Sequence, residues 1–219
     1  MMKRALTGAF FLAGRLILAD DPVKVDNEFV HVVMAVEEPH QKTPLHEHQL
    51  NRLLVYLDNS DLSMTSEDGR VQRKHWKAGD IEWSLAGGRH VTENIGKSAV
   101  RIVEVELKKP APKTVPRRAA DLDPVAIDPK HNLLLLENDQ LRALRNWREP
   151  GGNEAMHEHT GAGRVVVLLT DIDVRVKDGD GSEAPLHEKA GDVFWSGPSK
   201  HGATNIGKSK FEMILIEVK

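Results

Sequence analysis

Two pairs of histidines, each split by one glutamate, are the residues of this sequence best suited to chemistry. His46 and His48 lie in TPLHEHQLNRLLVYL, and His157 and His159 lie in EAMHEHTGAGRVVVLL. Residues two positions apart project from the same face of a β-strand, so each pair would present two imidazoles together. Such a pair can bind a metal ion when a third ligand joins it from another strand.

A third histidine follows each pair, and the whole pattern occurs twice. His46 and His157 are 111 positions apart (157 − 46 = 111), and His90 and His201 are separated by the same number (201 − 90 = 111). The six histidines could still be surface residues or hydrogen-bonded core residues, but two equivalent trios favour a metal site in each copy. The remaining histidines have no counterpart at this offset and are interpreted as ordinary residues: His31, His40, His75, His131 and His187.

The same offset divides the chain into two units. NIGKS occurs at Asn94–Ser98 and again at Asn205–Ser209, and KAGD recurs at an offset of 112. The units span residues 25–108 and 136–219. Residues 109–135 include KPAPKTVPRRAADLDP, whose prolines and charges predict a Pro-rich linker, followed by a lead-in strand.

Each unit is predicted to consist of short β-strands. Alternating stretches such as FVHVVMAVE and apolar runs such as LLVYL and VVVLL have the length of strands, and turns such as EDG and AGD separate them. No helical stretch is evident in either unit. The pattern is typical of an all-β sandwich or barrel. Because LLVYL and VVVLL are apolar on both faces, we expect the two units to pack against each other through these strands.

Composition narrows the classes of ligand and partner. The chain has 219 residues, a net charge of −3 and no cysteine. No basic block could follow a phosphate backbone, which disfavours nucleic-acid binding. Without cysteine, a metal site must use histidine, carboxylate or backbone oxygen. Beyond the N-terminal segment, no stretch of sequence is long and apolar enough to span a bilayer.

The N-terminal segment, residues 1–24, has the features of a secretory signal. It contains a basic start at Lys3 and Arg4, an apolar stretch at Ala5–Gly14, and a small-residue site that ends at Ala19. These features predict a periplasmic or secreted protein. The alternative is an amphipathic strand or helix packed on the barrel, and the protein would then be cytoplasmic.

These histidines and glycines give each unit a resemblance to a cupin domain, and the chain resembles a bicupin. The first cupin motif, G-x5-H-x-H-x3–4-E-x6-G, is matched at His46 and His48, with His40 in the place of its glycine, and at Gly151, His157 and His159. The second motif, G-x5-P-x-G-x2-H-x3-N, is matched at Gly79, Gly87, His90 and Asn94, and one residue shorter at Gly191, His201 and Asn205. The resemblance implies two tandem jelly-roll barrels. It implies no single activity, because cupins include enzymes, binding modules and storage proteins.

Arginine stands where the first motif has its glutamate. Three residues separate Arg52 from His48, and four separate Arg164 from His159, so both spacings fall within the motif. Neutral imidazoles leave a bound metal ion its full charge, and an inward arginine adds to that charge. Three outcomes are open. The arginine pairs with a carboxylate at the barrel rim, it binds an anionic substrate together with the metal, or the metal is lost.

The resemblance implies a divalent transition metal on each histidine trio. Iron, manganese, zinc, nickel and copper all suit these ligands. Three-histidine sites occur in cupin-like thiol and diketone dioxygenases, where iron binds a chelating substrate and then oxygen. Tyr56 is the only tyrosine and shares the strand face of Arg52. It is either a proton donor in the first pocket or a barrel-filling aromatic whose hydroxyl reaches the rim.

Three functions follow from these features. The first is a metal-binding bicupin that acts as a dioxygenase-like oxidoreductase on a small organic anion, with Arg52, Tyr56 and Arg164 as candidate catalytic residues. The second is a non-catalytic module that binds a metal or a small ligand. The third is a structural bicupin with vacant sites. The expected partner is a small anionic molecule, and a homo-oligomer is compatible with each function.

Overall fold

Two jelly-roll barrels follow one another along the chain. The computed structural model describes residues 22–114 and 119–219, and within these ranges the barrels contain eighteen strands and one single-turn helix. The all-β class predicted from the strand pattern is therefore confirmed. Residues 1–21 of the segment predicted to direct export lie outside the described residues. Among the described residues the helix has four residues, and no helix could cross a bilayer.

The first barrel is built from nine strands. They are β1 (Val23–Asp26), β2 (Val30–Glu37), β3 (His46–His48), β4 (Arg52–Tyr56), β5 (Ser60–Ser66), β6 (Val71–Trp76), β7 (Ile81–Ser84), β8 (Gly87–Asn94) and β9 (Val100–Leu107). A five-stranded sheet has the order β1-β2-β9-β4-β7, and a four-stranded sheet has the order β3-β8-β5-β6. The strand pairs are antiparallel throughout.

The second barrel has the same strand order. A single helical turn, α1 (Pro124–Ile127), precedes nine strands. They are β10 (Asn132–Glu137), β11 (Leu141–Arg148), β12 (Asn153–His159), β13 (Gly163–Leu168), β14 (Ile172–Asp178), β15 (Glu183–Glu188), β16 (Val193–Ser196), β17 (Ser199–Asn205) and β18 (Phe211–Val218). The sheets are β10-β11-β18-β13-β16 and β12-β17-β14-β15, which is the order of the first barrel with nine added to every strand.

The two five-stranded sheets pack face to face and share one hydrophobic core. Its buried members come from β2, β4, β9 and Leu57 of the first barrel and from β11, β13 and β18 of the second. Leu53 and Val55 face this core from one side, and Val165 and Val167 face it from the other. All four side chains are fully buried. The predicted packing of the two barrels through their apolar strands is confirmed.

The opposite face of the same strands fills the inside of each barrel. On β4, Leu54 and Tyr56 belong to the interior cluster of the first barrel. On β13, Val166 and Leu168 belong to that of the second. Because side chains alternate along a strand, an arginine at the start of β4 or β13 also points into its barrel. Alternate side chains of β4 and β13 therefore face either the interface between the barrels or the inside of their own barrel.

Turn residues hold these sheets in register. The KAGD turns place Gly79 at φ +87° and Gly191 at φ +88°, in the left-handed region that favours glycine. In each NIGKS turn the buried asparagine, Asn94 or Asn205, accepts a hydrogen bond from the glycine N–H two residues later (2.9 Å and 3.0 Å). The side-chain amides of both asparagines also donate to backbone carbonyls. The repeated sequences are thus the corners of the two barrels.

The second half of the linker is attached to the second barrel. Asp123 begins α1 and accepts a hydrogen bond from the N–H of Val125 (3.0 Å). The carbonyl of Leu122 accepts a hydrogen bond from the N–H of Glu158 on β12 (2.9 Å). This attachment brings Asp123 next to the strand that carries the second histidine pair.

Candidate metal centres

Three imidazoles converge inside the second barrel. His157 and His159 project from β12, and His201 lies opposite His157 on β17. One ring nitrogen from each histidine lies within 4.8 Å of the other two. His157 and His159 are each only 2% exposed. The sequence predicts this convergence, and the structure brings the three side chains to one point.

Hydrogen bonds behind the first two rings fix which nitrogen faces that point. Nδ1 of His157 donates to the backbone carbonyl two residues earlier (2.9 Å), and Nδ1 of His159 donates to the carboxylate of Glu217 (2.6 Å). In neutral imidazoles with protonated Nδ1, both Nε2 atoms carry a lone pair. These Nε2 atoms lie 2.9 Å apart. Two lone pairs cannot form a hydrogen bond, so a cation bound between them fits the donor set.

The first barrel brings together an equivalent but more exposed trio. His46 and His48 lie on β3, and His90 lies opposite His46 on β8. Their ligand atoms are within 4.8 Å of one another, and Nε2 of His46 is 3.1 Å from Nε2 of His48. Nδ1 of His46 and Nδ1 of His90 each donate to a backbone carbonyl at 2.8 Å. Nδ1 of His48 is 4.0 Å from Glu106, too far for a hydrogen bond.

Burial keeps several of these imidazoles neutral. It lowers the pKa of His46 and of His90 below the ordinary histidine value. It lowers the pKa of His201 to about 2, with further contributions from the neighbouring imidazoles and from Arg164. The neutral imidazole is the form that binds a metal ion. Each trio thus includes at least one imidazole that burial keeps in the metal-binding form at neutral pH.

Both arginines point into their barrels. Arg52 is 5% exposed and Arg164 is 6% exposed. This burial rules out a shift of strand register that would turn the two arginines to solvent. Nη1 of Arg52 lies 3.2 Å from a carboxylate oxygen of Glu104 on β9. The carboxylate partner of Arg52 thus belongs to the wall of the barrel.

Arg164 has a different environment. Its Nη1 donates to the carbonyl oxygen of Gly197 (3.0 Å) and to Oγ of Ser199 (3.2 Å). Ser199 Oγ is also 3.1 Å from Nδ1 of His201, which links the arginine to the histidine trio. Burial lowers the pKa of Arg164 to about 10, so the side chain is still a cation at neutral pH. Glu217 lies opposite Arg164 on β18, and the carboxylates of Glu217 and Glu154 offset part of the lowering of its pKa by burial.

Tyr56 is buried, and its hydroxyl is engaged inside the first barrel. It donates to Glu82 (3.1 Å), which also contacts Lys74, and its ring stacks on Trp76 at 4.2 Å between centroids. Burial and the Glu82 carboxylate raise the pKa of the phenol, so it stays protonated. Tyr56 fills the barrel, as one interpretation of the sequence expects, but its hydroxyl bonds to an interior carboxylate.

The floors of the two pockets differ in chemistry. The first barrel has the polar set Lys74, Tyr56, Glu82 and Glu104. An offset of 111 or 112 relates these residues to the apolar side chains Leu186, Leu168, Phe194 and Leu215 of the second barrel. The second pocket therefore combines a cationic arginine with an apolar floor.

Two glutamates beside the trios are functional candidates that the sequence analysis missed. Glu106 is 8% exposed and Glu217 is 2% exposed, and each is the second-last residue of its strand, β9 or β18. They obey the same offset as the histidines (217 − 106 = 111). That shared offset is the signal that could have identified them, because a conserved spacing to a metal ligand places both beside the site.

One interpretation of the remaining histidines needs correction. His75 and His187 are equivalent at the second offset, since 187 − 75 = 112. Each contacts an aspartate on the neighbouring strand, Asp61 for His75 and Asp173 for His187 (2.9 Å). The offset of 111 hid this relation because the second unit has gained one residue before these strands. Both pairs lie on the surface, away from the trios.

Solved structures share this architecture. AerE from Microcystis aeruginosa is 12% identical, with a TM-score of 0.61, over 87% of this chain and 88% of that chain. Bacillus subtilis oxalate decarboxylase, studied for its Mn(II) centres, is 12% identical, with a TM-score of 0.59, over 87% and 69%. A cupin 2 conserved barrel domain protein from Leptotrichia buccalis is 13% identical, with a TM-score of 0.54, over 89% and 86%.

These identities establish a fold and leave the activity open. No family model and no curated protein matches the sequence. The likeness to bicupin structures extends over both barrels, and each barrel contributes one histidine trio. The chain therefore has the bicupin fold, with two cupin barrels in tandem, and each barrel holds a group of histidines suited to a divalent metal.

Proposed function

We propose that this protein is a metal-dependent oxidoreductase that acts on a small organic carboxylate, and that the second barrel holds the reactive site. The observation that carries the proposal is the buried Arg164 cation, which hydrogen-bonds to Ser199 beside His201 and points into a barrel with an apolar floor. A buried cation is costly, and Glu217 and Glu154 offset only part of that cost, because the pKa of Arg164 is still lowered. A carboxylate ligand would add to the compensation.

The separation of the ring nitrogens supports a particular class of metal. Two nitrogens about 2.1 Å from one ion and at a right angle to each other are about 3 Å apart, whereas a tetrahedral angle requires about 3.4 Å. The Nε2 atoms are 2.9 Å apart in the second barrel and 3.1 Å apart in the first. Right-angle coordination favours octahedral ions such as manganese, iron or nickel over tetrahedral zinc. Three positions would then stay open for substrate and oxygen.

The residues of the second barrel have separate roles in this proposal. His157, His159 and His201 would hold the ion, which supplies Lewis acidity and, for iron or manganese, electron transfer. Arg164 binds one carboxylate of the substrate and orients it toward the open positions. The apolar floor excludes water from that carboxylate and strengthens its attraction to the guanidinium.

The first barrel is less suited to an anion. Glu104 already compensates the charge of Arg52, and a second carboxylate, Glu82, lies on the same floor. An anionic ligand there would meet these carboxylates. We propose that the first site binds metal but does not bind the substrate.

The likeness to oxalate decarboxylase suggests which probes to use first. That protein is named for a small dicarboxylate and studied for Mn(II) centres. At 12% identity the likeness carries no activity across, but oxalate and Mn(II) match the donor set and the charge described above. The test begins with metal analysis of the purified protein and with calorimetric titration of oxalate, malonate and acetate.

Turnover then separates the enzyme from a binding module. We expect the wild-type protein to consume oxygen when a carboxylate is bound. Arg164→Met should lose this activity. Release of CO2 without net oxygen consumption would replace the oxidoreductase with a decarboxylase. Tight carboxylate binding without any turnover would favour the non-catalytic alternative. Failure to bind any of the five transition metals would overturn the proposal.

A further inference from the structure

The polar groups behind the metal ligands differ between the two barrels. Glu217 and Glu106 are equivalent, and so are Arg142 and His31 (142 − 31 = 111). In both barrels the two residues lie opposite each other on neighbouring strands, Arg142 beside Glu217 and His31 beside Glu106. A guanidinium in one barrel has thus been exchanged for an imidazole in the other.

In the second barrel these groups form a continuous series of polar contacts from the linker to a metal ligand. Asp123 accepts a hydrogen bond from Nη2 of Arg142 (2.8 Å). Nη1 of Arg142 lies 3.5 Å from Oε2 of Glu217, and Oε1 of Glu217 accepts from Nδ1 of His159 (2.6 Å). Arg142, Glu217 and His159 are all at least 96% buried (exposures of 4%, 2% and 2%). Ion pairs this deep are weakly screened, so each member constrains the next.

In the first barrel the equivalent series of polar contacts is interrupted at the metal ligand His48. Oε1 of Glu106 is 4.0 Å from Nδ1 of His48. Nδ1 of His31 lies 3.3 Å from Asp26, and its Nε2 is buried without a hydrogen-bond partner. An imidazole cannot bind two carboxylates with the planar, forked donors that a guanidinium offers. The ring of His48 is therefore held less firmly than the ring of His159.

We infer that Arg142 and Asp123 are positioning residues for the metal ligand His159, acting through Glu217, and that docking of the linker makes the second barrel the tighter metal site. The inference rests on the metal site proposed for that barrel. A carboxylate that accepts the Nδ1 proton fixes the tautomer of a metal-binding histidine and increases the basicity of Nε2. Loss of such outer partners typically weakens metal binding about 10- to 100-fold.

A cavity beside these polar contacts permits a direct test. Its volume is about 430 Å³, and Asp123, Arg142 and Glu217 are among its lining residues. Nε and Nη1 of Arg142 have no hydrogen-bond partner, so the guanidinium is held by its ion pairs with the carboxylates of Asp123, Glu217 and Glu137. Free guanidinium ion should therefore enter the space that Arg142→Ala leaves and bridge the same carboxylates.

The experiment measures Mn(II) affinity by the electron paramagnetic resonance signal of the free ion. The parent protein carries His48→Ala, which leaves only the second site. In this parent, Arg142→Ala and Asp123→Asn should each raise the Kd about 10- to 100-fold. Millimolar guanidinium should restore affinity to Arg142→Ala and not to Asp123→Asn, and Arg142→Lys should recover part of it. A purely structural role for Arg142 would not be rescued by guanidinium.

The matched control lies in the first barrel. In a His159→Ala protein, which keeps only the first site, His31→Ala should leave the Kd for Mn(II) within about threefold of its parent, because His31 does not hold His48 in place. Circular dichroism checks that every variant is folded. If Arg142→Ala does not fold, Asp123→Asn still tests the inference. Unchanged affinity in folded Arg142→Ala and Asp123→Asn overturns the inference alone. A His48→Ala parent that binds no Mn(II) overturns the metal site and the inference with it.

Discussion

Arg52 and Glu104 form an ion pair inside the first barrel, with 3.2 Å between Nη1 and the carboxylate oxygen. The equivalent residues of the second barrel are Arg164 and Leu215, so the second barrel lacks this carboxylate, and the residue opposite Arg164 on β18 is Glu217. Two barrels with one fold and one histidine pattern thus differ in the net charge of their pockets.

Glu104→Gln should destabilise the protein by about 3 kcal/mol, because it leaves the buried Arg52 charge without its partner. Urea denaturation measures the change. Glu67→Gln is the control, since Glu67 pairs with Arg89 on the surface and exposed pairs contribute little. Equal effects of the two substitutions would show that water compensates Arg52.

Metal content should fall by one equivalent when one trio is broken. His48→Ala removes a ligand from the first trio and His159→Ala removes one from the second, and each leaves the other trio intact. Elemental analysis after dialysis should give two equivalents for the wild type and one for each variant. Two equivalents in either variant would place metal outside the trios.

Arg164→Glu should tighten metal binding and weaken carboxylate binding. The substitution restores an acidic ligand beside three neutral imidazoles and removes the cation that attracts the anion. We expect the Kd for oxalate to rise at least about 10-fold, the equivalent of roughly 1.4 kcal/mol. Arg52→Glu is the comparison, and its effect on carboxylate affinity should be small. If neither metal nor carboxylate affinity changes in Arg164→Glu, the anion-binding role of Arg164 is abandoned.

Gly79→Ala should destabilise the interface between the barrels. Gly79 has φ +87°, and an added Cβ would lie 2.8 Å from Nη2 of Arg145 in the second barrel. We expect a loss of about 1–2 kcal/mol in thermal or urea denaturation. Gly69→Ala is the control. Gly69 has φ +83° with open space around it, so this substitution adds backbone strain without a steric contact. The difference between the two variants is the contribution of the interface, and a difference of zero would contradict a tight interface at Gly79.

Tyr56→Phe should cost about 1 kcal/mol of stability and leave carboxylate turnover unchanged. The hydroxyl donates one buried hydrogen bond to Glu82, while the ring still stacks on Trp76. Turnover is proposed for the second barrel, where the equivalent residue is Leu168. A large loss of turnover in Tyr56→Phe would move the reaction to the first barrel.

The fold and the convergence of the six histidines could be predicted because both depend on local patterns. Strand alternation decides which face of β4 or β13 meets the other barrel. An HxH pair puts two rings on one face whatever the rest of the chain does. The shared offset then assigns His90 and His201 to the same two places.

The surroundings of those histidines could not be predicted in the same way. Glu217 is 58 positions from His159, and whether its carboxylate reaches the ring depends on the pairing of β11 with β18. The direction of Arg52 was open because its partner Glu104 lies on a strand that is distant in sequence. The sequence leaves open whether the hydroxyl of Tyr56 lies in the first pocket or at the rim, and it does not identify Glu82 as the acceptor. Long-range partners decide these details, and a single sequence does not pair them.

Through their shared core, the two barrels of this chain pack against each other as the subunits of a homodimer do. Leu169 of the second barrel lies against Gly79 of the first, and the equivalent Leu57 of the first lies against Gly191 of the second. Such reciprocal contacts are those of an isologous interface related by a two-fold axis. Either half alone would expose an apolar sheet, so the halves are obligate partners, and the energy of binding metal in one barrel also protects the other from unfolding.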